Sequence, residues 1–123
     1  MPIRIIRIGN RFRVGLAGDV CREFDGLPVV SRAGFTAAME TFADLPVGQT
    51  LPPQQFSNEG RHRVGGKEVA LHAFKDSHFR LYGGFVTVDG HHTWLGVMLV
   101  IKKRQKADVT VLQAAATRLR EYL

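Results

Sequence analysis

The sequence predicts an α+β domain: a mainly antiparallel, twisted sheet with helices packed on one face, a basic concave surface on the other, and an extra hairpin at the N-terminus. Three observations carry that prediction. The second half holds three strand-like runs separated by the short turn signals Lys75-Asp76-Ser77 and Asp89-Gly90. Two segments, Arg32 to Leu45 and Asp108 to Leu123, space their apolar residues as a helix does. A chain of 123 residues that is 45% hydrophobic and 23% charged suits one domain, 1–123, with a real core.

Taken in order, Ile3 to Leu16 reads as a hairpin, with Gly9-Asn10 as a two-residue turn at positive φ. Its second half puts Phe12, Val14 and Leu16 on one side, Arg11 and Arg13 on the other. Val20 to Phe24 is short and apolar, and reads as a further strand. Ser31 is placed to cap a helix whose core positions are Phe35, Met39 and Phe42, ending at Leu45-Pro46. Gln49 to Gly66, with Pro52-Pro53 and several glycines, reads as an irregular connection or a poorly regular edge.

Glu68 to Phe74, His78 to Val88 and Thr93 to Ile101 follow as strands. A two-residue turn at Asp89-Gly90 sets Val88 opposite His91, and the same register sets Tyr82 opposite Val97 and Arg80 opposite Leu99. Leu95 to Ile101 is apolar without alternation, which marks a strand buried on both faces and therefore central. Asp108 then caps a helix with the apolar stripe Leu112, Ala115, Leu119 and Tyr122. Its last turn carries Arg118 and Arg120, where the helix dipole favours cations.

Charge narrows the function. Seventeen Lys and Arg against eleven Asp and Glu give +6 and a pI near 10.1, a balance that favours a polyanionic partner, nucleic acid or an acidic protein segment. The excess concentrates where WLGVMLVIKKRQKAD leaves the core, at Lys102, Lys103, Arg104 and Lys106. No apolar run reaches the roughly 20 residues that cross a bilayer, and MPIRIIRIGNRFR interleaves arginine with isoleucine, so a cytoplasmic protein with no membrane partner is expected. A single cysteine, Cys21, excludes an internal disulfide and a four-cysteine zinc site.

His62, His72, His78, His91 and His92 lack the paired spacing of zinc ligands, and no metal or other cofactor is expected. Ser31, Ser57 and Ser77 have no G-x-S-x-G context, and Gly65-Gly66-Lys67 is not a phosphate loop. Arg80 stands out, because a charge between Phe79 and Leu81 inside a strand needs a partner or a cleft. Two readings stay open: an acid such as Glu68 or Glu121 neutralises it, or it floors a phosphate site walled by Lys102, Lys103 and Lys106.

Over Val69 to Leu123, the segment VALHAFKDSHFRLYGGFVTVDGHHTWLGVMLVIKKRQKADVTVLQAAATRLREYL resembles the ending of the RelE/ParE superfamily of small bacterial toxins, especially its phage-derived, HigB-like branch. The KKRQKAD block before AAATRLREY carries most of the likeness. The resemblance implies a RelE-like fold and a toxin of a type II toxin-antitoxin pair. Such a toxin is a metal-independent endoribonuclease that cleaves mRNA, free or on the ribosome, with RNA and a cognate antitoxin as partners. In that chemistry the RNA's own 2′-hydroxyl attacks while basic side chains hold the phosphate. Carried over, Arg80, Lys102 and Lys103 are catalytic, and Lys75, Arg104 and Lys106 hold RNA. His72 or Tyr122 serves proton transfer, with His78, His91 and His92 as further candidates. Family members open with a short strand and a two-helix hairpin, where this sequence reads as a hairpin and one helix. The alternatives are a ParE-like inhibitor of DNA gyrase, or a non-enzymatic phage or mobile-element protein that binds nucleic acid or an acidic partner.

Overall fold

The computed structural model describes residues 2–102 and 108–123; the predicted site residues Lys103, Arg104 and Lys106 lie outside them. The described chain runs β1 (Ile3–Ile8), β2 (Arg13–Ala17), α1 (Gly18–Asp25), α2 (Val29–Asp44), β3 (Phe56–Val64), β4 (Lys67–Lys75), β5 (Phe79–Val88), β6 (His91–Ile101), α3 (Val109–Arg120). The strands form one open sheet in the order β1-β2-β6-β5-β4-β3. Neighbours pair antiparallel except β2 and β6, which run parallel. The class is α+β as expected, with the sheet mixed at that one junction.

The N-terminal hairpin exists, but its connection differs from the predicted turn. Neither Gly9 nor Asn10 has positive φ. The backbone between β1 and β2 is instead tied to the end of α2, where the Ala43 carbonyl accepts from the N–H groups of Arg11 and Phe12 at 3.0 and 3.1 Å. Gly9 is there for close approach, since a Cβ on it would stand 2.4 Å from the Ala43 carbonyl oxygen. Val20 to Phe24 is helical, not a strand: Val20 and Phe24 are four residues apart, and both are buried on α1. The longer helix starts earlier than predicted, with Pro28 at its N-cap and Ser31 buried in its first turn rather than capping.

The 49–66 segment resolves into the edge reading. Its β3 is the outermost strand, with a register shift between Asn58 and Arg61, where Gly60 takes φ +85. The β5–β6 turn is as predicted, with Asp89 and Gly90 at φ 51 and 80, and Val88 opposite His91. Beyond it the ladder slips by one residue between Tyr82 and Gly83, so Tyr82 faces Met98 rather than Val97, and Arg80 faces Val100 rather than Leu99. The slip falls at a close approach that only glycine allows, since a Cβ on Gly83 would lie 2.1 Å from the Leu95 carbonyl oxygen.

Helices cover both faces, which corrects the expectation of one helical face and one open concave face. Gly84 and Phe85 are consecutive and point to opposite sides. A Cβ on Gly84 would meet Leu119 of α3 at 2.5 Å, while Phe85 packs against Phe42 of α2, ring centroids 6.0 Å apart. The α2 face is aromatic, with Phe42 touching Phe12, Phe56 and Phe74, and Phe74 meeting Trp94 edge-on at 4.7 Å. On the other face α3 is capped as predicted by Asp108, whose carboxylate accepts from Thr110 N–H at 2.7 Å. It buries Ala115, Ala116 and Leu119.

Candidate functional site

The sheet brings cations together at the end where β4, β5 and β6 meet the Asp76 turn. Asp76 builds that turn: one carboxylate oxygen accepts from the N–H groups of His78 and Phe79, each at 2.7 Å. Burial opposes its charge, but these bonds and the Ser31 hydroxyl outweigh it and hold the carboxyl below the usual carboxylate range. The turn sets Lys75 directly opposite Arg80. Arg80 in turn faces Val100, and Lys102 continues the ladder by donating its N–H to the His78 carbonyl at 2.7 Å. Lys75, Arg80 and Lys102 therefore occupy one end of three adjacent strands.

Their environments differ. Arg80 is 3% exposed, and its Nη1 donates to the Tyr82 hydroxyl at 3.4 Å. Tyr82 is itself buried, and burial, opposed by Arg80, holds its phenol protonated above the ordinary range. Lys75 and Lys102 are half-buried, and among the described residues neither makes an ion pair. The acids suggested by sequence as partners for Arg80 are elsewhere: Glu68 pairs with Arg61 at 3.6 Å, and Glu121 ends α3. The register thus sets two cations, Lys75 and Arg80, directly opposite one another in the ladder, a placement in which like charges repel.

The proposed proton-transfer residues are not part of this edge. His72 pairs with Gly83, three residues along from Arg80, and so projects from the opposite face. There it stacks on Phe56, centroids 5.3 Å apart and planes 7° apart, and its buried Nδ1 has no hydrogen-bond partner among the described residues. Burial, opposed by Glu59, holds its imidazole below the ordinary value. His72 is a half-buried ring packed on the aromatic face of this fold.

Tyr122 lies by Ile3, Ile5 and the Thr87–Asp89 end of β5, and the eight residue steps from Arg80 to Val88 span roughly 26 Å. Burial first, then Asp19, Glu121 and Cys21, raise its phenol pKa, which suits packing rather than proton abstraction. His91 and His92 sit at that same far end, where His92 stacks on Phe85 at 4.7 Å. Of the histidines only His78 stands at the cationic edge, exposed, with its Nδ1 2.9 Å from the Ser77 hydroxyl.

Tyr82 is the neighbour of Arg80 that the sequence places on the same side but to which sequence reasoning gave no role. The signal was its spacing two residues from Arg80 in a strand, which places both on one face. Among the described residues no three His, Cys, Asp or Glu side chains come together as metal ligands, and no helix is long and apolar enough to cross a membrane. No protein-family model, no curated protein and no solved structure matches this chain.

Proposed function

We propose that the chain is a metal-independent endoribonuclease, the toxin of a type II toxin-antitoxin pair acting on mRNA, with the Lys75–Arg80–Lys102 edge as its phosphate site. The observation that carries this reading is the register that brings those three cations to one end of β4, β5 and β6, with Lys75 opposite Arg80 and Lys102 two residues past Val100, the partner of Arg80, at the point where KKRQKAD begins. The resemblance in the second half supplies the chemistry. The order of elements adds support: β2 followed by the helices α1 and α2 resembles the strand and two-helix opening of RelE/ParE members, preceded here by one extra strand.

Lys75 and Lys102, being accessible, take the first contacts with phosphate. Arg80 serves from beneath, where a fixed charge is least screened by solvent and acts most strongly on the negative charge that develops in the transition state. Tyr82 positions the guanidinium. His78 is the proton-transfer group within reach of this edge, and the RNA 2′-hydroxyl is the nucleophile. A protein partner has a surface beside the cations, because Ile101 is 65% exposed and shares a hollow with Leu27, Pro28 and Phe79.

The test is expression without a partner, followed by RNA cleavage with purified protein. Arg80→Ala should lower cleavage by about 10²- to 10³-fold, as removal of a group that stabilises transition-state charge does, and growth arrest should disappear. Arg80→Lys separates two roles, because it keeps the charge but loses the planar fork; retained partial activity indicates a field, and none indicates a two-toothed grip. A folded Arg80→Ala variant with parental cleavage would refute the site. Parent protein that spares RNA but blocks DNA supercoiling would replace the proposal with gyrase inhibition, and harmless expression would replace it with a binding protein.

A further inference from the structure

We propose that the cleft between α2 and the β4–β5 turn is the pocket for one nucleoside of single-stranded RNA, whose adjoining phosphate rests on Lys75 and Lys102; this builds on the ribonuclease reading above. The cleft measures about 760 Å³ and is lined by Gly34, Ala37, Gln54, Gln55, Lys75 and Lys102. That size lies within the roughly 300–1,000 Å³ of small-ligand sites. Its walls come from a helix, two turns and a strand end, and it opens to solvent on one side.

Charge at the rim of the cleft favours an anion. Asp76, the one acid among its described lining residues, is already engaged by two backbone N–H groups and Ser31, whereas Lys75 and Lys102 have no ion pair among the described residues. The amides of Gln54 and Gln55 are equally uncommitted, with no side-chain hydrogen bond among the described residues. Their backbone is nevertheless pinned, since Gln55 N–H donates to the Pro52 carbonyl at 2.9 Å and the Gln55 carbonyl accepts from Lys75 N–H at 2.8 Å. A glutamine amide carries both a donor and an acceptor, the pairing that reads a base edge on an unpaired strand.

Gly34 supplies a separate reason. It sits inside α2, where glycine weakens a helix relative to alanine, yet it has no positive φ. A Cβ built on it meets nothing within 4 Å. The fold itself therefore makes no use of its missing side chain, and the bare helix surface leaves room for a flat base to lie against the backbone.

The experiment uses the full chain and a short single-stranded RNA with 2′-O-methyl riboses, which binds without being cleaved. Gly34→Leu should melt at or above the parent, bind this probe at least ten-fold more weakly, and lose discrimination among the four homopolymers, while Gly34→Ala stays near the parent. Gln54→Ala with Gln55→Ala should flatten base preference with a smaller loss of affinity. A folded Gly34→Leu variant that keeps parental affinity and base preference overturns this pocket and leaves the ribonuclease reading standing. A parent that neither binds nor cleaves RNA overturns both. If Gly34→Leu binds RNA normally but no longer binds an acidic partner protein, the cleft is a peptide site and the inference fails.

Discussion

The two faces of β5 divide the work of the molecule. Leu81, Gly83 and Phe85 point toward α2, into a core of rings that runs from Phe12 through Phe42 and Phe74 to Trp94. Arg80, Tyr82 and Gly84 point the other way; Gly84 meets α3 and Arg80 joins the cationic edge. One strand thus contributes apolar burial along one face and a fixed charge at one end of the other. The difference teaches that stability and chemistry should be separable by substitution here, because they depend on alternate residues of the same strand.

The sharpest break comes on the aromatic face. Phe42→Ala removes a ring that touches Phe12, Phe56, Phe74 and Phe85, and should cost about 3–5 kcal/mol. Thermal unfolding should show this as a drop of well over 10 °C at this chain length. On the other face Gly84→Ala should cost about 1–3 kcal/mol by overpacking, since its Cβ would stand 2.7 Å from the Ala70 carbonyl oxygen as well as against Leu119. A parental melting point for either variant would mean that the packing is wrongly placed.

Smaller effects sharpen the comparison at the edge. Asp76→Ala should cost about 1.5–3 kcal/mol, the scale of hydrogen bonds to a charged group, because it releases the turn that sets Lys75 against Arg80. Its carboxyl is held below the ordinary value in the fold, so this stabilisation is present above the unfolded pKa near 4 and is lost as pH falls through the folded value. Chemical denaturation of parent and variant from pH 7 to pH 3 should therefore converge at the acid end.

The smallest effect belongs to His72, whose folded pKa lies below its unfolded value near 6.5. Below that value the unfolded chain binds the proton first, so stability should decline as pH falls through about 6.5 until the folded imidazole titrates too. His72→Phe should remove that decline and leave RNA cleavage intact. Loss of cleavage in a folded His72→Phe variant would return His72 to the catalytic group.

Local signals in the sequence were legible and non-local ones were not. Asp89-Gly90 announced the β5–β6 hairpin because both residues adopt positive φ, and Asp108 announced α3 because a capping carboxylate acts within two residues. Val20 to Phe24 was ambiguous: five apolar-rich residues fit a strand or a helix, and burial of both Val20 and Phe24 decided for the helix. The parallel pairing of β2 with β6 joins Arg13 to Thr93 across most of the chain, and nothing local encodes it.

The site shows the same division. The cations of the edge could be named from sequence, but the one-residue slip at Gly83 changed their neighbours. Strand alternation then put His72 on the wrong face. Tyr122 fell away because helix periodicity says which face it shares, not which end of the sheet it reaches.

The central claim is that the Lys75–Arg80–Lys102 edge holds phosphates while the aromatic face holds the fold. Its most direct test is the salt dependence of binding to an uncleavable single-stranded RNA, compared for the parent and for Lys75→Ala with Lys102→Ala, with melting recorded for both. The double variant should melt within about 2–4 °C of the parent, because neither half-buried lysine makes an ion pair among the described residues. Its slope of log K against log salt should be shallower by roughly 1.4, about 0.7 for each phosphate that is no longer neutralised. A slope and affinity identical to the parent's, in a variant that folds, would contradict the account.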